Sequence, residues 1–220
     1  MRFWSSWRRA VVEKFVPTPH QPRMRQHIID TPHCALWVDM GGQKTSISLW
    51  AAKQLLETLD VAKILVVAPK RVAMNTWTGE IKRWDLFRGL TCRVLQAEDF
   101  RFKRQEVIVK RKGKETTVKR LVPTAAPQEF LTGEQIHTIS HDNLVYLVTL
   151  LGKRHWPYDA MIIDEADGFR APNTDRFKAV KALLGDTALL STAAAAALLP
   201  QLAQAESRLA ANGNQKLVLT

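Results

Sequence analysis

Short apolar runs alternate along this chain with longer stretches in which apolar residues recur every three or four positions. The runs are CALWVDM (34–40), AKILVVAP (62–69), TCRVLQA (91–97), the apolar part of YDAMIIDEAD (158–167) and the final QKLVLT (215–220), and IHTIS (136–140) reads as a further strand. They predict short strands, since apolar character without polar alternation is what a strand covered on both faces shows. RMRQHIIDT (23–31), SISLWAAKQLLETL (46–59), RVAMNTWTGEIKRW (71–84), HDNLVYLVTLLG (141–152) and TDRFKAVKALLG (174–185) carry helical spacing. VPTPHQP (16–22) predicts a loop, because three prolines forbid regular helix there. An Ala-rich segment at about 187–212 has a mostly helical pattern, broken or kinked at Pro200 and stopped by Asn212-Gly213. Strands alternating with helices predict an α/β fold: a mostly parallel sheet with helices on both faces. Ligands in such sheets bind at the carboxyl ends of the strands.

One stretch breaks the pattern. RFKRQEVIVKRKGKETTVKRLV (101–122) alternates about a turn at RKGK and predicts an inserted β-hairpin over about 100–122. It holds nine Lys or Arg against two Glu. Two readings stand: a basic arm for DNA, or a solvated hairpin whose charges block edge pairing. Residues 1–14 form a basic, aromatic-containing segment. Its Trp4 and Trp7, beside Arg8 and Arg9, either stack on bases or pack in the core, and packing is the simpler reading.

The charge sharpens the search for a partner. Net charge is +11 and the pI is about 10, which favours an anionic partner, nucleic acid ahead of anionic membrane. A chain of 220 residues can bury a sizeable core. No apolar stretch is long enough to span a membrane, and the N-terminus lacks the apolar core of a secretion signal. Cys34 and Cys92 fit neither a disulfide framework nor a zinc site, so the expectation is a reducing cytoplasm. His20, His33, His137 and His141 show no metal spacing on one helix face.

Two motifs carry chemistry. In DMGGQKT (39–45) a predicted strand leads into Gly41 and Gly42, then Lys44 and Thr45 open a predicted helix. Small residues let backbone N–H groups face phosphates, a lysine reaches the β- and γ-phosphates, and a hydroxyl can bind Mg²⁺. Gln43 stands where such loops usually have glycine. Downstream, Asp164 and Glu165 follow a second strand. In nucleotide hydrolases such an Asp holds the Mg²⁺ shell and the Glu polarises the attacking water.

Taken with three further stretches, these motifs resemble the first recA-like lobe of a superfamily-two DNA helicase or Swi/Snf-type translocase. TPHQPRMRQHI resembles the upstream Gln motif, DMGGQKTSISL motif I, ILVVAPKRVAMNTWTGEIKRW motif Ia, IHTISHDNL motif Ib, and MIIDEADGFRAPNTDRFKAV motif II. The resemblance implies ATP and Mg²⁺ as ligands, with Gln21 reading adenine and Gly41, Gly42, Gln43, Lys44 and Thr45 cradling phosphate. It implies Thr45 and Asp164 at the metal, Glu165 as the catalytic carboxylate, and Arg71 and Ser140 on the DNA backbone. A Cβ at Gln43 would clash or force an unfavourable backbone angle, at about 1–3 kcal/mol, weakening nucleotide binding rather than abolishing it.

LVLT (217–220) resembles the opening of motif III, so the expected layout is a basic segment at 1–14 and one ATP-binding lobe at 15–220. The second recA-like lobe, which in the family supplies arginine fingers worth about 10³–10⁵ in rate, is expected beyond these residues. The expectation is therefore weak or absent hydrolysis by this chain alone. The competing expectation is a non-catalytic, basic DNA-binding module that keeps the recA-like shape.

Overall fold

The computed structural model describes residues 12–38, 41–111, 113–124, 131–152, 155–169, 171–184 and 216–219. Residues 1–11 of the expected segment 1–14, with Trp4, Trp7, Arg8 and Arg9, and the expected Ala-rich helical segment at 187–212 lie outside the described residues. Helices are α1 (Gln21–Asp30), α2 (Lys44–Glu57), α3 (Trp77–Arg83), α4 (His141–Leu151) and α5 (Asp175–Leu184). Strands are β1 (His33–Ala35), β2 (Ile64–Ala68), β3 (Cys92–Leu95), β4 (Phe102–Arg111), β5 (Lys114–Pro123), β6 (Ile136–Ser140), β7 (Ala160–Ile163) and β8 (Lys216–Leu219).

Six of these strands form one parallel sheet in the order β1-β8-β7-β2-β6-β3, as the alternation of elements predicts. Its central strands β2, β6 and β7 are buried at every residue. The two faces of β2 explain why its sequence shows no polar alternation. Ile64 and Val66 pack with Ile28, Ile47, Leu49, Trp77 and Phe87 under α1, α2 and α3. Leu65 and Val67 pack with Leu144, Leu147, Leu151 and Val180 under α4 and α5. Helices therefore cover both faces. Among the described residues no helix is long and apolar enough to cross a membrane.

Local chemistry sets the element ends. The Pro-rich stretch is not loop throughout: α1 begins at Gln21, with Pro22 in its first turn. Proline fits there because that N–H has no helical partner to lose. Of the described residues in the apolar run at 34–40, only Cys34 and Ala35 are strand, because the neighbour β8 pairs with His33, Cys34 and Ala35. The RVAMNTWTGEIKRW segment is helical but starts as a π-turn at Val72–Thr76 before α3. Upstream, Phe15 sits in an aromatic nest with Trp50, Trp84 and Phe87, at ring separations of 5.5–5.6 Å. The insertion is an antiparallel hairpin, β4 with β5, paired from Phe102↔Pro123 to Arg111↔Lys114.

At the amino end of the sheet a histidine is buried whole. His137 on β6 is 0% exposed, and its Nδ1 lies 2.8 Å from the Tyr158 hydroxyl. Burial, with the Lys63 ammonium nearby and Arg93 adding to it, pushes its pKa down to about 4, against the opposing pull of Glu134. A group kept neutral in the fold and titrating at about 6.5 when unfolded contributes stability that is complete above 6.5. That contribution is lost as pH falls from 6.5 through 4. Thermal melts should therefore fall across that window, and His137→Gln should flatten the dependence. Equal pH slopes in the two proteins would contradict this assignment.

Candidate functional site

The carboxyl edge of the sheet collects the motif residues, and the strand register shows how. Ala35, Leu219, Ile163, Val67 and Ile139 lie level across β1, β8, β7, β2 and β6. The glycine loop leaves after β1 and the acidic turn after β7, with β8 between them. Strands about 4.8 Å apart put the two exits about 10 Å from each other. Arg71 follows β2, and Ser140 ends β6 opposite Ala68. Along one edge the order is thus loop, acidic turn, Arg71, Ser140.

The loop holds two residues in left-handed backbone. Gly41 has φ 85°, and Gln43 has φ 53° and ψ 41°, both left-handed. Helix α2 starts at Lys44 without a side-chain cap, and its first helical bond runs from the Ile47 N–H to the Gln43 carbonyl. Uncapped N–H groups at a helix start, preceded by residues of positive φ, form an anion-binding concavity. Lys44 and Thr45 are half-buried in that first turn, and Gly42 lies just before it. Ser46 is buried and donates to Glu80, which also accepts from the Trp84 indole, so the start of α2 is tied to α3.

Gln43 is held from the side. The Gln21 amide nitrogen donates to Gln43 Oε1 at 3.0 Å, and Gln21 Oε1 accepts from the Thr18 N–H at 2.9 Å. Gln21 is 1% exposed. The residue expected to read adenine and the residue that replaces a glycine are therefore bonded partners, a link invisible in the sequence.

The acidic turn is equally constrained. The Asp164 N–H donates to the Val67 carbonyl at 2.8 Å, extending the β2–β7 ladder by one residue. Asp164 is buried, whereas Glu165 is exposed with φ 53°. A non-glycine residue in that region costs about 1–3 kcal/mol and persists because its surroundings over-determine it. His141, assigned no role from the sequence, is one of those surroundings. Its Nε2 lies 3.0 Å from the Asp164 carbonyl oxygen. A carbonyl only accepts, so this nitrogen carries the proton, and burial holds the ring's pKa down. Its ring stacks edge-on against Phe169 at 4.9 Å. A Cβ on Gly168 would stand 3.0 Å from His141 Nδ1, so glycine there admits the imidazole. The signal that could have found His141 is its place directly after the helix-capping Ser140.

Arg71 is exposed at the start of the π-turn. Ser140 is buried to 8%, and its hydroxyl accepts the Asn143 N–H as the N-cap of α4. A hollow between them is lined by Lys70, Met74, Leu95, Gln96, Ser140 and Asn143. Among the described residues no cluster of three His, Cys, Asp or Glu could hold a metal alone. Thr45 and Asp164 offer hard oxygen donors in the segments that follow β1 and β7. That suits Mg²⁺, which takes one or two carboxylates and completes its shell with phosphates and water.

Comparison with known proteins bears on the family and the fold. The SNF2-related domain family matches residues 15–194. Protein p41 of Acyrthosiphon pisum secondary endosymbiont phage 1 is 30% identical over 156 residues, which is 70% of this chain and 29% of that protein. The Sulfolobus solfataricus SWI2/SNF2 ATPase core in complex with dsDNA shares the fold, with a TM-score of 0.53 at 20% identity. That match covers 75% of this chain and 29% of the other. The chain thus spans well under half the length of either protein.

The left-handed Gln43 generates a specific expectation. Glycine there would relieve about 1 kcal/mol of strain while giving up a hydrogen bond of about the same worth. Alanine would give up the bond and keep the strain. Gln43→Gly should therefore melt close to the wild type, and Gln43→Ala should be about 1 kcal/mol less stable than Gln43→Gly by denaturant titration. An alanine variant at least as stable as the glycine variant would contradict the left-handed assignment.

Proposed function

This chain belongs to the SNF2-related domain family, and we propose that it is the ATP-binding lobe of a DNA-dependent ATPase, a helicase or translocase. The observation that carries the reading is the shared edge: loop and acidic turn two strands apart, with Arg71 and Ser140 on the adjoining strands. In it, Lys44 and the first-turn N–H groups of α2 hold the phosphates. Thr45 and Asp164 hold Mg²⁺, which when bound offsets phosphate charge. Glu165, exposed at the turn, orients and deprotonates the attacking water. Gln21 reads the base by exchanging its bond to Gln43 for bonds to adenine. Arg71 and Ser140 take DNA phosphates, which position the lobe without reading sequence. In the full protein a second recA-like lobe closes over the nucleotide and couples hydrolysis to movement along DNA.

One observation favours a second reading, a basic DNA-binding module without catalysis: the Gln43 side chain is bonded to Gln21 at the mouth of the loop. Equilibrium binding of a fluorescent ATP analogue with Mg²⁺ separates the two. We expect saturable binding by this chain and a loss of about tenfold or more in Lys44→Ala, as for removal of a charge-assisted hydrogen bond. Absence of binding by both proteins would leave the module as the better account.

A further inference from the structure

The hairpin β4–β5 carries much of the chain's excess positive charge, and its register divides that charge unevenly between two faces. Directly paired residues share a face, and successive residues alternate. One face holds Phe102, Arg104, Glu106, Ile108 and Lys110 with Pro123, Leu121, Lys119, Thr117 and Glu115. Both glutamates of the hairpin fall on it, and Glu106 pairs with Lys119 at 3.7 Å. The opposite face holds Lys103, Arg111, Lys114 and Arg120 and no carboxylate. Its cations sit at the base and the tip, with Val107, Val109 and Val118 between them.

The base of the hairpin is fixed. Phe102 packs edge-on against Tyr146 of α4 at 4.8 Å, and Phe100, fully buried, stands 6.3 Å from Phe102. At the base the face that carries Phe102 therefore turns toward α4, and Lys103 on the carboxylate-free face is exposed. Lys103, Arg104, Gln105 and Glu106 are exposed, so the ribbon stands clear directly beyond its anchor. Its origin matters as much as its charge. The chain reaches β4 from the carboxyl end of β3, next to β6, so the ribbon springs from the edge that presents Arg71 and Ser140. Strands of ten residues extend about 34 Å.

We propose that the carboxylate-free face of this hairpin is a second docking surface for duplex DNA, continuous with the Arg71–Ser140 stretch. The inference rests on the DNA reading above and adds a site to it. Charge complementarity names the occupant: four cations on a face without carboxylates suit a polyanion. A two-stranded ribbon also fits the major groove of B-DNA, about 12 Å wide. Cations placed at base and tip of this face suit the phosphates that flank the groove. The contacts are to the backbone, so affinity gains from them irrespective of sequence.

The test compares two variants of the whole chain on a fluorescein-labelled duplex, titrated by anisotropy from about 50 to 200 mM salt. One carries Lys103→Gln, Arg111→Gln, Lys114→Gln and Arg120→Gln. The other carries Arg104→Gln, Lys110→Gln and Lys119→Gln on the opposite face. Losing four phosphate contacts should flatten the slope of log K against log salt by about 3–4, with the opposite-face variant changing it by about 1 or less. Lys103→Gln alone should remove about one unit, which keeps the test valid if the fourfold variant does not fold. A wild-type slope in the fourfold variant, an equal loss in both variants, or a wild-type chain that ignores the duplex would overturn the proposal. Both variants should bind the ATP analogue as the wild type does. Failure of nucleotide binding throughout, with the slope change intact, would sink the ATPase reading and leave the hairpin site standing.

Discussion

Ala35, Leu219, Ile163, Val67 and Ile139 are held level by one ladder of parallel backbone hydrogen bonds. That ladder decides where polar chemistry can stand. A sheet covered on both faces leaves no water for its backbone groups, so each must be paired within the ladder. Polar side chains with work to do are pushed to the ends. Because the strands run parallel and stop together, their carboxyl ends form one edge, and four motif stretches open onto it. The glycine loop and the acidic turn follow β1 and β7, and Arg71 and Ser140 lie at the ends of β2 and β6. The hairpin follows β3.

Strain gathers at this edge and is held there by named contacts. Gln43 and Glu165 both adopt left-handed backbone, one in each nucleotide motif. Gln21 braces the first through its amide, and His141 braces the carbonyl beside the second. Gln21 and His141 are both buried. The two motifs are thus supported by groups on α1 and α4, elements that lie on opposite faces of the sheet.

Much of this was legible in the sequence because periodicity reports burial. The apolar runs at 64–68 and 160–163 read as strands covered on both faces, and the alternation around RKGK reads as a hairpin. The loop and the acidic turn were legible because glycine, lysine and paired carboxylates have few other uses in that order. What stayed hidden depends on contacts between distant residues. Nothing in the sequence says that Gln21 touches Gln43, 22 positions away. Nothing says that Gly168 makes room for His141, or that both hairpin glutamates fall on one face, since that last fact needs the register. Strand lengths were overread at 34–40, where pairing with β8 rather than apolar character set the limit.

The central claim is that the loop after β1 and the turn after β7 form one magnesium–nucleotide site. The most direct measurement is the Mg²⁺ dependence of ATP-analogue affinity, for this chain and for Asp164→Asn. If Asp164 and Thr45 share the metal with the phosphates, Mg²⁺ should tighten nucleotide binding in the wild type, and the amide variant should lose most of that gain while keeping its metal-free affinity. An identical Mg²⁺ response in both proteins would mean that the acidic turn and the glycine loop, though level across the sheet, do not act on one ligand.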